Sequence, residues 1–121
     1  MAFRVEIAPR AFADLDEITA YIKQQGSFDR AEEWFNGIIA AIRTLEDLPH
    51  RCPVADESED LEQEVHVLHY GKRNRRYRVY YSIQQKTPST GKVCVFHVRH
   101  WARKNLSSDQ WRELKGDRTE S

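Results

Sequence analysis

Two runs rich in β-branched and aromatic residues, Arg76-Tyr77-Arg78-Val79-Tyr80-Tyr81-Ser82-Ile83 and Val93-Cys94-Val95-Phe96-His97-Val98, flank the turn Thr87-Pro88-Ser89-Thr90-Gly91. Such residues favour pleated, half-buried strands, and a turn containing Pro and Gly between two such runs predicts an antiparallel hairpin. A lone hairpin is marginal in water, so the remaining chain must supply further strands and a layer to cover one face.

The upstream sequence has the periods to do this. Phe3-Arg4-Val5-Glu6-Ile7 alternates apolar and polar, which predicts a half-buried strand. Pro9 is tolerated in the first turn of a helix, where its missing N–H would be unpaired anyway. Phe12, Leu15, Ile18 and Ile22 then mark one face of a helix from about Pro9 to Gln24, with Asp14, Asp16 and Glu17 on or near the other face. Gly26 supplies the stop. Ser27 caps a second helix whose stripe is Ala31, Trp34, Phe35, Ile38, Ile39, Ile42 and Leu45, ended by Pro49. Trp34 and Phe35 read as core. The short link makes the two helices an antiparallel pair.

From Pro49 to Glu64 the sequence reads as a loop with the acidic run Asp56-Glu57-Ser58-Glu59-Asp60. Val65 to Tyr70 is the next strand, and Gly71-Lys72-Arg73-Asn74 the turn into the hairpin. Ser107 with Gln110 resembles a capping box that opens a short C-terminal helix through Trp111 and Leu114. The order β-α-α-β-β-β-α predicts an α+β fold in which a helical hairpin packs on a mostly antiparallel four-stranded sheet, leaving the other sheet face partly open. A single domain over 1–115 and a disordered tail over 116–121 are expected.

Charge is segregated. The formal net charge of the 121 residues is zero, yet Met1 to Glu64 carries six Lys and Arg against fifteen Asp and Glu. Val65 to Lys104 carries ten Lys and Arg, four His and no acid. A dipolar molecule with one cationic working face is the reading. No apolar run is long enough to span a bilayer and no signal peptide is evident, so a cytoplasmic protein with reduced Cys52 and Cys94 is expected. Cys94, between two valines, reads as core. His66 and His69 are three apart on a strand and face opposite sides, and no carboxylate or thiol sits at ligand spacing, so neither a metal nor another cofactor is expected.

The Arg76–Ile83 strand, with a last strand ending Val98-Arg99-His100-Trp101-Ala102-Arg103, resembles the RelE/ParE superfamily of bacterial type II toxins, from Phe3 to about Leu106. The resemblance implies a small toxin neutralised by a cognate antitoxin, in a toxin–antitoxin hetero-oligomer. It leaves two modes of action: RelE-like toxins enter the ribosomal A site and cut mRNA, whereas ParE-like toxins block DNA gyrase. Fold alone does not choose between them.

RNA cleavage by a 2′-hydroxyl needs a base, cations for the phosphorane charge and an acid for the leaving oxygen. His100 is the candidate acid or base, with Arg78, Arg99 and Arg103 as the phosphate clamp. Tyr77, Tyr81 and Trp101 are candidate base-stacking rings, and Lys72, Arg73, Arg75 and Arg76 candidate phosphate contacts. Strand alternation predicts Val93, Val95, His97 and Arg99 on one face and Cys94, Phe96, Val98 and His100 on the other, so Arg99 and His100 converge only through a bulge or strand end. The leading expectation is a ribosome-dependent mRNA endonuclease. The alternatives are a gyrase inhibitor without chemistry of its own and an inactive relative that only binds antitoxin. The zero net charge and the His100, Ala102, Arg103, Leu106 ending fit the ParE-like members at least as well.

Overall fold

A computed structural model describes residues 3–55, 58, 64–72 and 76–100. Its elements are β1 (Phe3–Ile7), α1 (Pro9–Gln24), α2 (Phe28–Arg43), β2 (His66–Tyr70), β3 (Tyr77–Thr87) and β4 (Thr90–His100), with 3₁₀ turns at Thr44–Glu46 and Pro49–Arg51. The chain is α+β, as its periods predict. The C-terminal helix expected from Ser107 and the tail at 116–121 lie outside the described residues.

The helix boundaries follow local chemistry. Pro9 opens α1, and Gly26, at φ 120°, takes the left-handed turn between the helices. Ser27 caps α2 by accepting the Arg30 N–H at 3.0 Å. Two expectations are corrected. Phe12 is exposed and Ala11 takes the buried place one turn before Leu15, so the α1 stripe starts at Ala11, with Leu15 and Ile18 on the core as expected. The α-helix also ends at Arg43, not near Pro49; the chain tightens into the 3₁₀ turn that buries Leu45.

The sheet order is β1-β4-β3-β2, with β1 parallel to β4 and the other pairs antiparallel. Register sets the two faces. The face under the helices carries Tyr77, Val79 and Tyr81 from β3 and Val93, Val95 and Val98 from β4, packed with Leu15, Ile38, Ile42 and Leu45. On the far face, Val67, Tyr80 and Phe96 form a smaller cluster with Ala8, Ala55 and Val65. That face is therefore less open than expected, since these side chains are all buried. Part of the loop after Pro49 runs along the outer edge of β2: Ala55 donates to the Val65 carbonyl at 2.6 Å and Val67 to Pro53 at 3.1 Å.

A bulge rephases β4. Tyr80 faces His97 but Tyr81 faces Val95, so Phe96 is an extra residue on β4. The predicted alternation fails at this point. Val93, Val95, Val98 and His100 share the helix side, and Cys94, Phe96, His97 and Arg99 the far side.

Candidate functional site

The end of the sheet where β2 finishes, β3 begins and β4 finishes carries two rows of side chains, back to back. Register places Tyr70, Tyr77 and His100 side by side on the helix side, and His69, Arg78 and Arg99 side by side on the far side. Strands lie about 4.8 Å apart, so neighbours in each row are within side-chain reach.

The helix-side row is aromatic. The Tyr77 and His100 rings meet edge to face at 5.2 Å, and Trp34 on α2 meets Tyr77 at 5.1 Å and Tyr70 at 6.4 Å. Gly37, one turn beyond Trp34, leaves room for the Tyr70 hydroxyl, which a β-carbon there would strike. Beside this row a cavity of about 1000 Å³ opens between α1, α2 and the end of β4. Glu17, Tyr21, Arg30, Trp34, Tyr77 and His100 are among its walls.

The far-side row is cationic. Arg78 reaches over the Tyr80 ring, its guanidinium carbon 5.8 Å from the centroid, and Tyr80 stacks on His97 at 5.9 Å. Burial first, and then the charges of Arg76 and Arg78, hold the His69 imidazole below its ordinary pKa.

The expected site residues divide accordingly. Arg78 and Arg99 are cross-strand neighbours on the face opposite His100, while Arg99 and His100 both border the cavity at the strand end. Tyr77 is buried in contact with Trp34 and His100. Tyr81, expected as a base-stacking ring, is 0% exposed and donates its hydroxyl to the Pro49 carbonyl at 2.6 Å. A ring with no accessible face cannot stack on a base. Lys72 and Arg76 are exposed at either end of the β2–β3 turn. Arg73, Arg75, Trp101 and Arg103 lie outside the described residues. Sequence reasoning passed over His69 as a metal ligand and had no way to place it beside Arg78. Only the antiparallel register reveals that row.

A family model for the ParE toxin of the type II toxin–antitoxin system, parDE, matches residues 5–105. The chain belongs to this family. All six elements fall in the matched span apart from the first two residues of β1. Membership of the ParE toxin family makes the protein the toxin of a toxin–antitoxin pair and implies a cognate antitoxin as its partner. No curated relative matches the sequence. Among the described residues, no helix is long and apolar enough to cross a membrane, and no three His, Cys, Asp or Glu side chains are grouped to hold a metal ion.

Proposed function

We propose that this ParE-family toxin arrests growth by binding DNA gyrase, with no bond-making or bond-breaking step of its own. One observation carries the reading: His100 stands on the helix side of the sheet and Arg78 and Arg99 on the far side. Nucleolytic chemistry requires a proton-transfer group within about 3 Å of its proton while cations grip the same phosphate. The paired sheet stands between His100 and Arg78, and Arg99, which borders the same cavity as His100, is only 6% exposed, so little of its guanidinium is offered to a phosphate. Docking to another protein needs only a surface of complementary shape and charge, and the cationic row with its exposed approach at Arg76 provides one.

The mRNA-cleavage reading is kept by a different feature. Arg78, half-buried and set beside the exposed Arg76, offers a guanidinium fork to a phosphodiester, with Arg99 buried opposite it. The test puts the two readings side by side. The protein is titrated into purified gyrase with relaxed plasmid and ATP, and separately into a translating extract with primer extension on its mRNA. Loss of supercoiling with intact mRNA is expected, and His100→Ala should inhibit gyrase as strongly as the parent. New mRNA ends within translated codons, abolished by His100→Ala, would overturn the proposal.

A further inference from the structure

Among the described residues, β1 ends the sheet on one side, with β4 as its one strand neighbour and no strand along its outer edge. Ala8 turns its N–H inward, to the Val95 carbonyl at 2.8 Å. Peptide groups alternate along a strand, so Glu6 and Arg4 also point inward while Phe3, Val5 and Ile7 point their N–H and C=O outward. No backbone hydrogen bond among the described residues takes up those outward groups. At the opposite edge of the sheet, by contrast, Pro53 to Ala55 covers the start of β2.

Exposed edges usually carry features that prevent pairing. This one carries a sequence that is its own complement. Read antiparallel about Val5, Phe3-Arg4-Val5-Glu6-Ile7 sets Val5 against Val5, Arg4 against Glu6 and Phe3 against Ile7. The outward peptide groups of Phe3, Val5 and Ile7 then meet their counterparts, so each of these pairs exchanges two hydrogen bonds. A slip of one residue would oppose outward groups to inward ones. A slip of two would oppose Arg4 to Arg4 or Glu6 to Glu6, and like charges directly opposed are destabilising. One register therefore satisfies both the backbone and the charges.

Side-chain placement agrees. Arg4 and Glu6 lie on the far side of the sheet, with side chains 76% and 45% exposed, and pair with each other along the strand at 3.0 Å. Phe3, Val5 and Ile7 lie on the helix side, where Val5 and Ile7 are half-buried against the core. A second strand laid alongside would extend both the apolar seam and the charged one.

We propose that the β1 edge binds a second copy of this chain, joined antiparallel about Val5 on a two-fold axis. The two four-stranded sheets merge into one continuous sheet, and Arg4 of each chain pairs with Glu6 of the other. A five-residue seam buries less than the roughly 1,000 Å² of a stable interface, so the association is weak and reversible. It depends neither on gyrase nor on the cationic row.

Sedimentation velocity of the full-length toxin over a wide concentration range tests this. A monomer–dimer equilibrium is expected, weakened at least about tenfold by Arg4→Glu, which sets like charges across both symmetry-related contacts. The same loss is expected from Glu6→Arg. The double variant Arg4→Glu with Glu6→Arg reverses both Arg4–Glu6 pairs across the seam and should recover most of the dimerisation lost by either single variant, although it gives up the Lys92–Glu6 pair at 3.4 Å within each chain. Both positions are exposed, and unchanged circular dichroism shows that each variant has folded. Three results would overturn the proposal: a monomer at every concentration, a dimer indifferent to both single variants, or Val5 amide protection that appears only when antitoxin is added. The last would give the edge to an antitoxin strand.

Discussion

His97 Nδ1 lies 2.8 Å from Asp14 Oδ2, and the same oxygen accepts the Val98 N–H at 3.0 Å. β1 pairs with β4 only as far as Val95, after which the chain turns away into α1. A side chain from that helix thus takes the place of the missing strand, satisfying an edge amide and lying against the histidine next to the bulge. Arg10, one turn earlier, stands 3.6 Å from the other carboxylate oxygen.

Asp14→Ala should therefore cost more than its position on a polar helix face suggests. It leaves the Val98 amide without its acceptor and takes away the carboxylate beside the His97 ring at a half-buried site, a loss of about 1–3 kcal/mol. Urea denaturation measures it as a lower midpoint with unchanged slope. A change within about 0.5 kcal/mol, as for an ordinary surface position, would contradict the anchoring role.

His69 gives the fold a defined pH dependence. Its imidazole is held below the ordinary value of 6.5 by burial and then by Arg76 and Arg78. On acidification the unfolded chain takes up this proton first, so the contribution is intact at neutral pH. It is lost as the pH falls through about 6.5 towards the lower folded value. His69→Asn should flatten stability against pH in that window, read by thermal melts at closely spaced pH values.

The same imidazole reports on its neighbours. An acidic partner lying on Arg76 and Arg78 cancels the charges that oppose His69 protonation, so its midpoint rises on binding. Proton NMR titration of the ring with and without an acidic antitoxin peptide tests this. An unmoved midpoint in a saturated complex would mean that the partner docks elsewhere.

Tyr81→Phe separates a core role from a binding one. It removes the hydroxyl bond to Pro49 and leaves that buried carbonyl without its donor, at a cost of about 1–3 kcal/mol. Gyrase inhibition, measured on the folded variant, should be unchanged. The phenol is pushed well above its ordinary pKa by burial and by the Cys52 thiol, so alkaline absorbance titration, compared between the parent and Tyr81→Phe, should find no Tyr81 signal until the protein unfolds.

Gly91→Ala should destabilise the strand crossing. A β-carbon at Gly91 would meet the Gln84 carbonyl oxygen and the Gln85 Cα, which are backbone atoms with little freedom to move. Overpacking of this kind costs about 1–3 kcal/mol, and a calorimetric melt would register it. An unchanged melting temperature would mean the hairpin end shifts freely.

The fold was legible because its signals are local. Pro9, Gly26 and Ser27 act within one turn of themselves, and the period of Phe3 to Ile7 needs no partner to be read. The Phe96 bulge was not legible, because it is a mismatch between two strands and neither run alone records it. Its consequence reached the candidate site directly, changing which β4 residues share a face with Arg99. Tyr81 misled for a related reason: its phenol finds an acceptor at Pro49, 32 residues away, so an apparently polar ring is core. The aromatic row likewise needs α2 and the sheet together before Trp34, Tyr77 and His100 become neighbours.

The extra residue at Phe96 also bears on how this toxin is to be compared with others. Parity is conserved along a strand until a residue is inserted, and then it inverts for everything downstream. Two relatives matched letter by letter through the end of β4, one with the insertion and one without, would have equivalent letters on opposite surfaces. His100 here would then be matched with a side chain that faces the other way. Equivalence at the end of this strand is therefore counted outward from the bulge, and a histidine shared in an alignment is shared in space only when the count agrees.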